Sequence, residues 1–207
     1  MSIIISLKEA RQLAIQSQWL NHASSLPGKE ATLETIEHLG YVQIDTLAVV
    51  ERAHHHTLWS RMPGYKSKWL DDLMNEKKIF EYWGHAASFL PMKDYRFSMI
   101  RKRDYTRGKS HWFEQDQQVK RHVLRRIKME GPLQSKDFET PDNGRKAWYY
   151  WKPAKRALEQ LFMEGKLMVS HRQGFQKVYD LAANVLPAEV NVNFPTKREY
   201  AEHLVRT

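Results

Sequence analysis

The chain has 207 residues, 42% of them hydrophobic and 12% aromatic, with 33 Lys and Arg against 24 Asp and Glu, a formal net charge of +9 and no cysteine. That apolar content can fill a packed core, which excludes wholesale disorder, and the length suits one large or two small domains. The absence of cysteine excludes a disulfide framework, a thiol nucleophile, a thiolate zinc site and an iron–sulfur cluster.

At the N-terminus, Met1 to Ile5 is apolar for only a few residues before Lys8, Glu9 and Arg11, too short a stretch for a secretory signal or a membrane span. A cytoplasmic protein is expected. Leu7 to Leu20 reads as a helix with Leu7, Ala10, Leu13, Ala14 and Leu20 towards a core. Ala31 to Leu39 reads as a second, using Leu33, Ile36 and Leu39 and stopped by Gly40. Tyr41 to Thr46 then alternates as a short strand, with Val42 and Ile44 on the core face and Gln43 and Asp45 together on the other. An amide beside a carboxylate on one strand edge can hold a water molecule, the amide orienting it while the carboxylate accepts a proton or stabilises positive charge.

The His- and aromatic-rich stretch that follows reads as partly helical, and Lys68 to Ile79 as helical. Consecutive residues such as His54, His55 and His56 do not converge on one ion, and no metal site is expected. With Arg52, Trp59 and Arg61, one or two of these histidines are expected to line a cleft or touch DNA, plain surface histidines being the alternative. His85, after Trp83 and Gly84, carries the same two readings.

The positive charge is segregated. Residues 101–128 hold ten Lys and Arg against three acids, and residues 145–177 hold eight against two, so these stretches exceed the net charge of the chain and leave the rest net negative. Such segregation favours a face for a polyanion, nucleic acid above all. Within it, Gln117 to Met129 is an amphipathic helix ended by Gly131-Pro132, Gln134 to Glu139 a short helix opened by Ser135, and Pro153 the start of a third helix stopped by Gly165. Leu167 to His171 and Gln176 to Leu181 are strands joined by a turn at Gly174. Helix, helix, helix, hairpin is the order of a winged helix, whose third helix and wing approach DNA, and the basic residues Lys152, Lys155, Arg156 and Arg172 fit that role. Tyr149, Tyr150 and Trp151 are expected in the core rather than stacked on bases. Near the end, Thr196 and Glu199 have capping-box spacing and open a last helix.

These elements predict a mainly α protein with short β hairpins and tandem winged-helix domains. Residues 1–112 form a looser winged-helix-like domain with the Gln-Ile-Asp motif, 113–184 a basic winged helix, and 185–207 a linker and the start of a further domain.

The run Val42-Gln43-Ile44-Asp45-Thr46-Leu47, with Glu51-Arg52-Ala53-His54-His55-His56, Leu58-Trp59-Ser60-Arg61 and Trp83-Gly84-His85-Ala86-Ala87, resembles the winged-helix DNA glycosylases of the AlkZ/YcaQ family, the YcaQ branch in particular. The resemblance covers essentially the whole chain. It implies Gln43 and Asp45 as the catalytic pair, with Asp at the third place of a Gln-apolar-Gln or Gln-apolar-Asp signature. It also implies excision of N7-alkylated guanine, including guanines in interstrand crosslinks, from double-stranded DNA without strand cleavage. Family members are roughly twice this length, so the native protein is expected to continue past Thr207, and a missing C-terminal part could be needed for activity.

From these readings, DNA contacts are expected from Arg52, His54, His55, Arg61, Lys152, Lys155, Arg156, His171 and Arg172, with no cofactor, no metal, no membrane and a monomer working at the nucleoid. Without the resemblance, the reading stops at a winged-helix transcriptional regulator that binds DNA without catalysis, or a protein-binding scaffold.

Overall fold

A computed structural model describes residues 4–21, 26–109, 111, 114–138 and 153–206. Lys152 and the aromatic run Tyr149 to Trp151 lie outside the described residues. Helix α1 (Leu7–Ser17) is opened by a capping box in which the Glu9 N–H donates to Ser6 Oγ at 3.2 Å and the Ser6 N–H to Glu9 Oε2 at 2.7 Å. Its apolar positions are not core: Leu7 is 67% and Leu13 54% exposed, and no residue of the helix is buried. Periodicity shaped the helix, but no other described element covers that face. Among the described residues the end of α1 is held by the Ser17 carbonyl on His38 Nε2 at 2.7 Å, by Trp19 stacked on the His38 ring and by Arg61 donating to the Gln18 carbonyl.

Helix α2 (Gly28–Leu39) ends as expected at Gly40, whose φ of 75° is open to glycine at little cost. The chain enters β1 (Val42–Gln43), shorter than the expected strand, then α3 (Ala53–Trp59) and α4 (Lys68–Asn75). The helix anticipated up to Ile79 stops early. Lys77 takes a positive φ of 57°, and the β-favouring run Ile79-Phe80-Glu81-Tyr82-Trp83 becomes β2 (Ile79–Trp83). With β3 (Ala87–Pro91) it completes an antiparallel sheet of order β1-β3-β2, and α5 (Tyr95–Thr106) follows.

The basic half begins with α6 (Gln117–Glu130), capped by Asp116, whose carboxylate accepts the Gln118 and Val119 N–H groups at 2.9 and 3.0 Å. Strand β4 (Leu133–Gln134) and a single 3₁₀ turn, Ser135–Asp137, stand where a short helix was expected. Helix α7 (Pro153–Met163) buries Ala157, Leu158, Leu161 and Phe162, whose spacing puts them on one face. Gly165, with φ +73°, ends it. A Cβ there would lie 2.6 Å from Lys102 Cδ, so conformation and space both require glycine. Strands β5 (Leu167–Gln173) and β6 (Gln176–Leu181) form the expected hairpin in a sheet of order β4-β6-β5, and α8 (Ala182–Val185) follows. Helix α9 (Lys197–Arg206) carries the expected Thr196/Glu199 capping box and docks on α5 through Arg96–Glu199 at 3.0 Å.

One hydrophobic cluster joins both halves, from Ile36 and Leu70 to Leu161 and Val169. Polar bonds lock the same seam: Tyr82 donates to the Met163 carbonyl at 2.6 Å, and the Glu81 carboxylate, its side chain fully buried, receives Arg172 at 2.7 Å and Lys177 at 3.2 Å. The described residues thus form helices with two small antiparallel sheets. No helix among the described residues is long and apolar enough to cross a membrane.

Candidate active site

Strand β1 lies at the edge of its sheet, pairing Val42 with Phe89 and Gln43 with Ser88; the Ile44 N–H extends the ladder by donating to the Ala87 carbonyl at 2.8 Å. Alternation places the motif as its pattern requires. Val42 and Ile44 are buried, Gln43 is exposed and Asp45 half-buried. His85, on the β2–β3 turn, donates from Nε2 to Gln43 Oε1 at 3.1 Å, with the Tyr41 ring edge-on to it at 5.1 Å. Because that bond occupies the amide oxygen, the Gln43 amide nitrogen is the end left for a water or a sugar oxygen. At Asp45, Oδ1 accepts the Leu47 N–H at 2.8 Å, an Asx turn that fixes the carboxylate and leaves Oδ2 for chemistry.

The backbone of Asp45 is held from behind. Its N–H donates to Nδ1 of His54 at 3.3 Å, and His54, on α3, is only 5% exposed, edge-on to the Phe89 ring. Burial, helped by the neighbouring His55, Arg172 and Arg52 cations, pulls the His54 imidazolium down from 6.5 to about 4. The ring is therefore neutral at neutral pH, as an acceptor at Nδ1 must be. The unfolded chain takes up a proton near 6.5 and the folded one only near 4, so stability falls as pH drops through that window, and the loss is complete below it. The expected cost, at about 1.4 kcal/mol for each pH unit of that window, is about 3 kcal/mol. Measured by urea unfolding across that range, His54→Gln, which keeps an acceptor but does not titrate, should lose less stability than the native chain by that amount; equal losses would show His54 unlinked to folding.

The other expected contacts divide. His55 is half-buried, with Nδ1 2.8 Å from the Tyr65 hydroxyl. The Arg61 guanidinium donates to the Gln18 and Thr57 carbonyls at 2.7 Å each, tying the chain after α1 to α3. The Arg172 side chain is 9% exposed and is held by Glu81 and by the Phe175 carbonyl at 2.7 Å, because a buried carboxylate demands a cation. Arg52 donates to the Thr46 carbonyl at 2.5 Å and lies over the Phe175 ring at 3.6 Å, so it bridges the motif to the hairpin tip. His171 is half-buried, its Nδ1 3.0 Å from Ser170 Oγ at a register shift in the hairpin. Among the described residues no group of His, Asp and Glu is arranged to hold a metal ion.

Between motif strand and hairpin lies a cavity of about 300 Å³, lined by Ile44, Thr46, Lys155, Arg172, Phe175 and Lys177 among others. Gln43 and Asp45 do not line it; their sheet neighbours do. Lys155 is exposed at its mouth, whereas Arg156, one residue on, lines a separate cleft with Glu114 to Gln118. Sequence reasoning did not single out Glu81 and Phe175, which hold the seam. The one signal for Glu81 was a lone acid in the apolar run Ile79 to Trp83.

Compared with known proteins, the chain matches the model of a family described as AlkZ-like, DNA glycosylase AlkZ-like, over residues 36–207. No solved structure matches it.

Proposed function

The chain belongs to the AlkZ-like DNA glycosylase family, and from that premise we propose that it hydrolyses the N-glycosidic bond of N7-alkylated guanine in duplex DNA, including guanines joined in interstrand crosslinks. The observation that carries this reading is the open edge of β1, where the Gln43 amide and the Asp45 carboxylate stand side by side, each fixed by one bond and each with one atom to spare.

Alkylation at N7 makes the base cationic, so it leaves without a strong general acid, and the protein must chiefly stabilise the oxocarbenium-like sugar and deliver water. Asp45 supplies the negative charge and polarises the water; Gln43 positions that water or the sugar. The C1′–N9 bond breaks with its electron pair going to the base, the water oxygen bonds to C1′, and the released proton passes to Asp45. An abasic site in an unbroken strand results, and the chemistry needs no cofactor. A crosslinked guanine is tethered to the opposite strand and cannot rotate into a closed pocket, which suits an edge strand open to solvent.

Residues 113–184 are read as a winged helix, with α6, the 3₁₀ turn, α7 and the β5–β6 hairpin on the sheet β4-β6-β5, and residues 1–112 as its looser counterpart. A monomer binds duplex along α7 and the hairpin, Lys155 presenting its charge there. Lys155→Ala is expected to lower the slope of log affinity against log salt by about 0.9, one phosphate contact. Fluorescence titration of a labelled duplex at several salt concentrations measures it, and an unchanged slope would place Lys155 off the DNA.

A further inference from the structure

We propose that the loop 47–50, immediately after the catalytic motif, is an apolar wedge that enters the base stack of duplex DNA beside the damaged guanine. The inference rests on the glycosylase reading and extends it to how the lesion is reached. Three large aliphatic side chains stand in water there: Leu47 is 78%, Val49 99% and Val50 88% exposed. Exposed aliphatic clusters of this kind mark contact sites rather than solubilising surface.

The loop is a built projection. At its start the Leu47 N–H is held by Asp45 Oδ1 at 2.8 Å and the Thr46 carbonyl by Arg52 at 2.5 Å. At its end Ala48 pairs with Arg52 in an isolated antiparallel bridge, and the His56 ring bonds the Glu51 carbonyl at 3.2 Å. Arg52 in turn lies over Phe175 of the hairpin. Both ends are therefore fixed while Val49 and Val50 form the tip.

Position selects the occupant. One residue, Thr46, separates Leu47 from Asp45, so their Cα atoms lie at most about 7.6 Å apart, roughly two base steps of duplex. A carboxylate that acts at C1′ brings the start of this loop, and with it the apolar tip, to the stack, and apolar side chains inserted at a base step unstack it and kink the duplex. Such a wedge opens the glycosidic bond to Asp45 without extruding the base, which a crosslinked guanine forbids.

The test uses a duplex with 2-aminopurine next to an N7-methylguanine whose sugar carries a 2′-fluoro group, so that binding is read without excision. Binding of the native chain is expected to raise 2-aminopurine fluorescence several-fold as the step unstacks. The double variant Val49→Ser/Val50→Ser, altered only at solvent-exposed side chains and checked for an unchanged melting temperature, should bind but abolish the rise. On cleavable N7-methylguanine duplex it should excise roughly ten- to a hundredfold more slowly, the loss expected when the reacting bond is misplaced. Native binding with no rise, or an equal rise and equal excision in the variant, would overturn the wedge while leaving the glycosylase reading intact. Failure of the native chain to bind duplex at all would remove both.

Discussion

Asp45→Asn is expected to slow excision of N7-methylguanine by about 10²- to 10³-fold, the usual loss when one electrostatic stabiliser of a transition state is removed. The substitution keeps shape and the acceptor that receives the Leu47 N–H at 2.8 Å, so the Asx turn and the backbone bond to His54 survive. In the proposed mechanism, what disappears is the negative charge facing the sugar as its C1′–N9 bond breaks. Ground-state contacts to the phosphates are unaffected, and affinity for the damaged duplex should stay within about twofold. Single-turnover excision with saturating protein, beside a binding titration, separates the two quantities. A variant that excises at the native rate removes Asp45 from the chemistry; one that loses binding in proportion to rate makes it a DNA contact instead.

The largest stability effect is expected at Glu81. Its carboxylate is fully buried between the two halves and is shared by Arg172 at 2.7 Å and Lys177 at 3.2 Å, with Glu159 a second partner of Lys177 at 3.3 Å. Burial alone would pull the Lys177 ammonium down, yet the Glu81 and Glu159 charges leave it raised, so the cluster functions as one unit. Glu81→Gln leaves buried cations short of one countercharge and should cost about 3–5 kcal/mol. Adding Arg172→Met should recover part of that loss, since it removes a cation now without its partner. Urea unfolding of native chain, single and double variants measures this; a loss below about 1 kcal/mol would show the pair is replaceable by solvent. A damaged seam would also loosen Phe175, on which Arg52 rests, and with it the motif loop.

Much of this was legible before any coordinates. The alternation around Gln43, Ile44 and Asp45 places the pair on one side of a strand, and Gly40, Gly165 and the Thr196/Glu199 spacing mark ends that the structure keeps, because these signals act within a few residues. Tertiary decisions were not legible. Leu7 and Leu13 have helical periodicity yet no covering partner among the described residues, so the pattern formed the helix without making it core. Lys68 to Ile79 reads as one helix until the pairing of Ile79 with Pro91 claims its end for a strand. That Arg172 meets the buried Glu81 carboxylate was not legible either, because the two lie far apart along the chain. His85 has two readings in the sequence, a cleft or DNA contact and a plain surface histidine, and its place 3.1 Å from Gln43 depends on the sheet.

The central claim is that this chain cuts a glycosidic bond and leaves the DNA strand whole. Chromatography of the supernatant after incubation with N7-methylated duplex, with the same DNA run on a denaturing gel before and after alkaline cleavage, reads both parts at once. Free N7-methylguanine above the spontaneous rate, with strand breaks only after alkali, is the predicted result. A duplex that is bound but releases no base would contradict it and leave a DNA-binding protein that performs no chemistry.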